Sequence, residues 1–90
     1  MITLEIIRAR VCLAKLESAV YDRICNQVIQ DELVHHLPKM GAAERADAVQ
    51  VISDLGLYCK QISGLIEMLE TTLSKSVVGR QMLEDFYQRV

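Results

Sequence analysis

The second half of the chain carries an uninterrupted heptad pattern of small and apolar residues. From Ala48 to Ser76 these residues follow one another at alternating steps of four and three. Such spacing places them on one side of an α-helix. The residues that we expect to pack in this seam are Ile52, Leu55, Cys59, Ile62, Ile66, Leu69 and Leu73. A stripe of this length needs another helix to cover it, so the pattern predicts helix packing before any chemistry.

The first part of the chain predicts a long helix of its own. Residues 3–37 contain neither Gly nor Pro, and Thr3 is a suitable N-cap. Because Pro38 disfavours helical geometry at Leu37, we expect a helix over residues 3–37 and a turn over residues 38–41. Apolar residues recur in two adjacent stripes of this helix, which are Ile6, Leu13, Leu16, Val20, Ile24 and Val28, and Tyr21, Cys25, Ile29, Leu33 and Leu37.

Two further helices are expected after the turn. The first covers residues 42–75, and Gly41 can act as its N-cap. We expect it to end there because weak helix formers begin at Thr71 and Gly79 follows. Residues 77–90 then read as a short amphipathic helix. Beside the seam, one column is apolar and the column on the other side is small or polar; they are Val51, Tyr58 and Leu65, and Gly56, Ser63 and Glu70. The apolar column widens the face that we expect to be buried.

These elements predict an all-α fold in one domain over residues 1–90. Two long helices joined by a short turn form an antiparallel hairpin, and the short C-terminal helix adds to it. With 51% hydrophobic residues in only 90, the chain has more apolar surface than a hairpin can cover. We therefore expect the hairpin to complete a helical bundle, either by dimerisation or with a helix of a partner protein.

Charge and composition argue against several classes of protein. The formal net charge is −2, and Lys and Arg are spread along the chain, so nucleic-acid binding is not favoured. No uncharged run approaches the roughly 18 residues that a membrane span needs, and the N-terminus lacks the pattern of a signal peptide. The three cysteines lie at apolar helical positions, as expected of reduced thiols. We expect a soluble cytoplasmic protein that does not bind membranes.

No residue set in the chain predicts catalysis, a metal or a cofactor. The nearest approach is Glu32 and His35, whose spacing would let one helix turn present both side chains to a metal ion. Glu44 or Asp47 would have to complete such a site, and we expect the imidazole of His36 to point away from that of His35. A polar helix end is the favoured interpretation, so we expect no enzyme, no cofactor and no metal.

The residues left for binding are apolar positions outside the seam. One set lies on the back of the second long helix, and the other lies in the C-terminal helix, which either folds onto the hairpin or engages a partner. The sets are Leu57, Gly64 and Met68, and Met82, Leu83, Phe86 and Tyr87.

The function that we expect is a small intracellular protein-interaction module, acting as a chaperone, an adaptor or an inhibitor by occluding a partner protein. Its partner would be another protein, a second copy of the chain in a homodimer, or both. Two alternatives stay open: a dimeric metal-binding helical bundle that uses Glu32 and His35, and a helical transcriptional regulator.

Overall fold

The computed structural model of the protein describes residues 3–90, which are helical almost throughout and include no β-strand. The prediction of an all-α fold is thereby confirmed, while Met1 and Ile2 of the predicted domain lie outside the described residues. The elements are, in chain order, helix α1 (Leu4–His36), a 3-10 turn (Leu37–Lys39), helix α2 (Ala42–Leu73) and helix α3 (Val77–Arg89).

Hydrogen bonds that involve side chains close both ends of α1. The hydroxyl of Thr3 accepts a hydrogen bond from the backbone N–H of Ile6 at 3.3 Å, as an N-cap does. At the other end, the guanidinium of Arg45 donates to the carbonyl oxygens of Leu37 at 3.3 Å and Met40 at 3.1 Å. Carbonyl groups at the end of a helix lack partners within it, so Arg45 ties the turn to the start of α2.

Helices α1 and α2 run antiparallel. The thiol of Cys12 donates to the carbonyl oxygen of Leu69 at 3.6 Å, and the amide of Gln30 donates to the carbonyl oxygen of Ile52 at 3.2 Å. A position early in α1 thus contacts the end of α2, whereas a position late in α1 contacts its beginning. The two long helices form the hairpin.

The core lies at the open end of this hairpin, away from the turn. Helix α3 folds back there and makes a third layer against α1 and α2, and Phe86 is its most deeply buried side chain, at 2% exposed. The seam of α2 is accordingly buried from Ile62 to Leu73, but only half-buried at Ile52, Leu55 and Cys59. The core residues are Ala9, Leu16, Ala19, Val20, Ile62, Ile66, Leu69, Leu73 and Phe86.

The molecule is a long, thin body. Its extents are 61 × 21 × 15 Å and its radius of gyration is 17.7 Å, whereas a compact domain of this length would have a radius of gyration of about 12 Å. At 1.5 Å per residue, α1 is about 50 Å long and α3 only about 20 Å. Among the described residues, the half of the hairpin next to the turn therefore has two layers and no third.

In this two-layered half, polar side chains of α1 face α2. Three of these side chains are half-buried, and each has a hydrogen-bond partner: Arg23 bonds to Ser63, Asn26 to Asp22 and Gln30 to Ile52. Leu33 and Leu37 are half-buried as well, but over residues 21–29 α2 does not cover the two apolar stripes predicted for α1. Their residues in this range lie on the exposed side of the helix; they are Tyr21, Ile24, Cys25, Val28 and Ile29.

Gly79 sets how closely α3 approaches the end of α2. Gly79 is buried in the first turn of α3. The break between α2 and α3 comes before it, since α2 ends at Leu73. The backbone N–H of Gly79 donates to the hydroxyl of the N-cap Ser76 at 2.9 Å. A Cβ at this position would overlap the carbonyl oxygen of Leu73. Since a backbone carbonyl cannot move aside without shifting its helix, only glycine fits here.

Substitution of two glycines tests this packing. Gly79→Ala should destabilise the protein by about 1–3 kcal/mol, because the new methyl group overpacks the contact between α2 and α3. Gly64→Ala is the matched control: nothing lies within 4 Å of the position of its Cβ, so the gain in helix propensity should stabilise the fold by about 0.5–1 kcal/mol. Urea unfolding followed by circular dichroism measures both. Equal effects of the two changes would contradict the tight approach of α3.

Candidate interaction surfaces

Helix α3 packs on the polar side of the α2 seam and leaves the apolar side open. Glu70, which belongs to the small and polar column, lies next to Leu83 and Tyr87 of α3. On the other side of the seam, the side chains of the apolar column are between 43% and 45% exposed; these are Val51, Tyr58 and Leu65. Within the single chain the apolar column is therefore uncovered, and its burial against a further helix stays a prediction.

This open side forms a groove between α1 and α2. The groove has a volume of about 440 Å³ and lies against the back of the core. Its floor is apolar and consists of Ala19, Ile62, Leu65 and Leu69. Its rims are more polar and consist of Lys15, Ser18 and Asp22 on α1, and Tyr58 and Gln61 on α2. An apolar floor between polar rims suits an amphipathic helix.

A hydrogen bond between the two helices crosses the end of the groove nearest the turn. The phenol of Tyr58 donates to Oδ2 of Asp22 at 2.9 Å, while Oδ1 of Asp22 accepts from the side-chain amide of Asn26 at 2.9 Å. The hydrogen bond to Asp22 and the negative charge of its carboxylate raise the pKa of Tyr58 above its usual value. The contact holds the Tyr58 ring in place at the edge of the groove.

The back of α2 presents its three predicted contact residues to solvent. Leu57, Gly64 and Met68 are all exposed, and no atom outside the helix approaches Gly64. Leu57 and Met68 are eleven residues apart, about 16 Å along the helix. The polar residues Lys60 and Glu67 lie between them on the same exposed side. This surface therefore offers two separate apolar side chains and no groove.

The C-terminal residues predicted to bind a partner instead form the third layer of the fold. Phe86 is in the core, and Met82 and Leu83 pack against it. A partner could contact these side chains only after α3 had left the hairpin, which revises the expectation for all three. Tyr87 is classed as exposed. The partial burial that remains and the nearby carboxylate of Glu70 raise the pKa of Tyr87 above its usual value.

The residues of the metal-binding alternative are exposed polar side chains. Glu32 and His35 lie near the end of α1, and Glu44 and Asp47 lie in the first turns of α2. Residues 3–90 include no group of three or more His, Cys, Asp or Glu side chains placed to hold a metal ion. The imidazoles of His35 and His36 meet edge to face, with ring centroids 5.4 Å apart, which corrects the expectation that they point apart.

The thiols of Cys12, Cys25 and Cys59 are free, and that of Cys25 is exposed. No helix within the described range, residues 3–90, has both the length and the apolar composition to cross a membrane.

The groove was not predicted from the sequence. In the sequence pattern, its α1 rim with Lys15 and Asp22 looks the same as an ordinary solvated helix surface. The available signal was the asymmetry of the columns beside the seam, in which Tyr58 and Leu65 oppose Ser63 and Glu70. That asymmetry alone does not say on which side α3 packs, and the packing of α3 decides which column stays open.

Replacement of Asp22 tests the hydrogen bond at the groove. Asp22→Asn removes the negative charge, so the pKa of Tyr58 should fall toward its ordinary value. Because folding raises this pKa, the contact stabilises the fold below the usual tyrosine pKa of about 10 and is lost as pH rises through the raised value. NMR titration of ring-labelled tyrosines measures the shift, with Tyr87 as the internal control. An unchanged Tyr58 pKa in the variant would contradict the contact.

Comparison of the chain with protein-family models, with curated proteins and with solved structures found no match.

Proposed function

We propose that the protein is a small interaction module that binds an amphipathic helix of a partner protein in the groove between α1 and α2. The observation that carries this proposal is that the apolar column of α2 is uncovered, because α3 adds a third layer on only one side of the hairpin. By covering the partner's helix, the module would prevent that helix from making other contacts. This mode of action is common to chaperones, adaptors and small inhibitors.

The spacing of the open column favours a helix as the occupant. Val51, Tyr58 and Leu65 lie seven residues apart, which is about two helical turns. A helix lying along α2 would meet one of these side chains at every second turn, with anchors of its own at i, i+3, i+4 and i+7. Since α3 already covers the opposite side of the hairpin, such a helix would complete a four-helix arrangement at the open end.

The rims of the groove give the partner's charge pattern. Lys15 is exposed on the α1 rim, so an acidic side chain on the partner helix would be favoured beside it. Asp22, one heptad further along the same rim, already accepts hydrogen bonds from Tyr58 and Asn26. A second acidic side chain at that level would be repelled. These two positions select the direction in which a partner helix lies.

The compartment that we propose is the cytoplasm. Free thiols persist where the cell keeps cysteines reduced, and the exposed thiol of Cys25 would be the first to oxidise elsewhere.

Substitution within the groove tests the proposal. Leu65→Glu places a charge on the apolar floor, so binding of a helix should weaken at least about tenfold. Leu57→Glu, on the exposed back of α2, is the matched control and should bind as the unchanged protein does. Affinity capture from the native host, quantified by mass spectrometry for all three proteins, identifies partners whose recovery falls only with the groove variant. Circular dichroism verifies that both variants stay folded.

A second step assigns the bound segment. A synthetic peptide covering an amphipathic helix of the captured partner is titrated into the ring-labelled protein. The proposal predicts that the Tyr58 resonances shift while those of Tyr87, beyond the groove, stay in place. Equal loss of capture with both variants, capture that is insensitive to Leu65→Glu, or a peptide that leaves Tyr58 unmoved would each refute the groove as the binding site.

A further inference from the structure

The outer side of α1 carries a second heptad pattern. Most of it faces away from α2 and α3, and Leu4, Ser18 and Tyr21 lie at the edges of the contacts with these helices. Its residues follow one another at alternating steps of three and four, and all are exposed. We call this set the α1 stripe; it consists of Leu4, Ile7, Val11, Ala14, Ser18, Tyr21, Cys25 and Val28. The spacing is that of a coiled-coil seam, here on the side of the helix that α2 and α3 leave uncovered.

The α1 stripe is more than a few scattered apolar side chains. Ile24 and Ile29 lie beside it and are also exposed, whereas Arg23, Asn26 and Gln30 occupy the inner side of the same helix turns. Over residues 21–30, α1 thus has apolar residues outside and polar residues inside. In a chain that acts alone, this arrangement forfeits the stabilisation that burial of those apolar side chains would supply.

We propose that a second copy of the chain covers the α1 stripe, through antiparallel pairing of the two α1 helices about a two-fold axis. The axis passes beside residue 16, midway along the stripe. Each residue of one stripe then faces a residue of the other: Leu4 faces Val28, Ile7 faces Cys25, Val11 faces Tyr21 and Ala14 faces Ser18. The small pair lies at the axis, where the two backbones approach most closely.

Charges beside the stripe favour the antiparallel direction. The N-terminal half is flanked by Arg8, Arg10 and Lys15, and the C-terminal half by Asp22 and Asp31. Antiparallel pairing lays the basic half of each copy against the acidic half of the other. Arg8 then lies level with Asp22 of the second copy, and the two-fold axis produces this pair twice. Opposite charges at such flanking positions set partner choice and orientation.

Parallel pairing would place like charges together. Flanking residues five positions apart meet in a parallel coiled coil, which brings Arg10 beside Lys15 and Glu17 beside Asp22. In the antiparallel pairing only residues next to the axis meet their own copies. Of these, Glu17 already has Arg89 as an ion-pair partner at 3.8 Å, and the exposed side chain of Lys15 can turn its ammonium group to solvent.

The surface area of the monomer is large enough for such an interface. The accessible surface is 6424 Å², whereas a compact monomer of this mass would expose about 5,300 Å². The excess, about 1,100 Å², exceeds the roughly 800 Å² that each partner buries in a standard specific interface. This inference does not rest on helix binding in the groove, because the α1 stripe shares with the groove only Ser18, on the α1 rim.

Two valines of nearly equal exposure test the surface. Val11, in the α1 stripe, is 51% exposed, and Val49, on α2, is 52% exposed. The unchanged protein should be a dimer by light scattering across a dilution series. Val11→Glu should raise the dissociation constant at least about tenfold, because it buries an unpaired charge, while Val49→Glu should leave it unchanged. Circular dichroism verifies that both variants keep their helices.

A thiol cross-link tests the direction of pairing. Ile7→Cys places a thiol opposite Cys25 of the second copy, so mild oxidation with oxidised glutathione should give a covalent dimer on a non-reducing gel. Adding Cys25→Ser to the same variant should abolish this product, and Leu57→Cys should not form it. A monomer at every concentration, or a dimer that Val11→Glu does not weaken, would overturn the proposal. A dimer that fails to cross-link through position 7 would overturn its antiparallel register.

Discussion

The structure depends on a mismatch of helix lengths. Two helices of more than thirty residues pack side by side, but the only further helix within residues 3–90 has 13 residues. A bundle gains most of its stability where three or more layers exclude water from apolar side chains. The core therefore forms at the open end, around Leu16, Leu73 and Phe86. The half of the hairpin next to the turn is held by two helices and by polar contacts between them.

The sequence was sufficient to predict the elements, because their signals are local. Pro38 and Gly41 end one long helix and begin the next, and the seam from Ile52 to Leu73 lies on the side of α2 that faces α1. Such signals depend on backbone geometry and spacing within a few helical turns. The prediction of an all-α fold with three helices is accordingly confirmed.

The sides of α1 could not be predicted in the same way. Periodicity assigns apolar residues to the inside, yet Arg23, Asn26 and Gln30 face α2, each with a hydrogen-bond partner. A polar residue can occupy an inner position when a partner satisfies it, and that partner is known only once the helices are packed. The groove could not be predicted for the same reason, because only the packed position of α3 shows that the column with Tyr58 and Leu65 is left open.

The two proposed contact surfaces share α1 as a boundary. Lys15 and Asp22 form a rim of the groove, and both also flank the α1 stripe on its outer side. Ser18 belongs to both surfaces, so a dimer formed through the stripe would bring the second copy beside the α1 rim of each groove and would turn Lys15 and Asp22 toward both neighbours. In this arrangement one short chain binds itself with one side of a helix and another protein with the adjacent groove.

Amide hydrogen exchange along α2 tests the central claim, that the fold has a third layer only at its open end. This helix lies away from the α1 stripe, so its turn half stays two-layered whether or not the chain dimerises. Amides of residues 62–73 should exchange at least about tenfold more slowly than those of residues 48–57, because opening the three-layered half exposes the core. Uniform protection along α2, or stronger protection near the turn, would contradict this account of the fold.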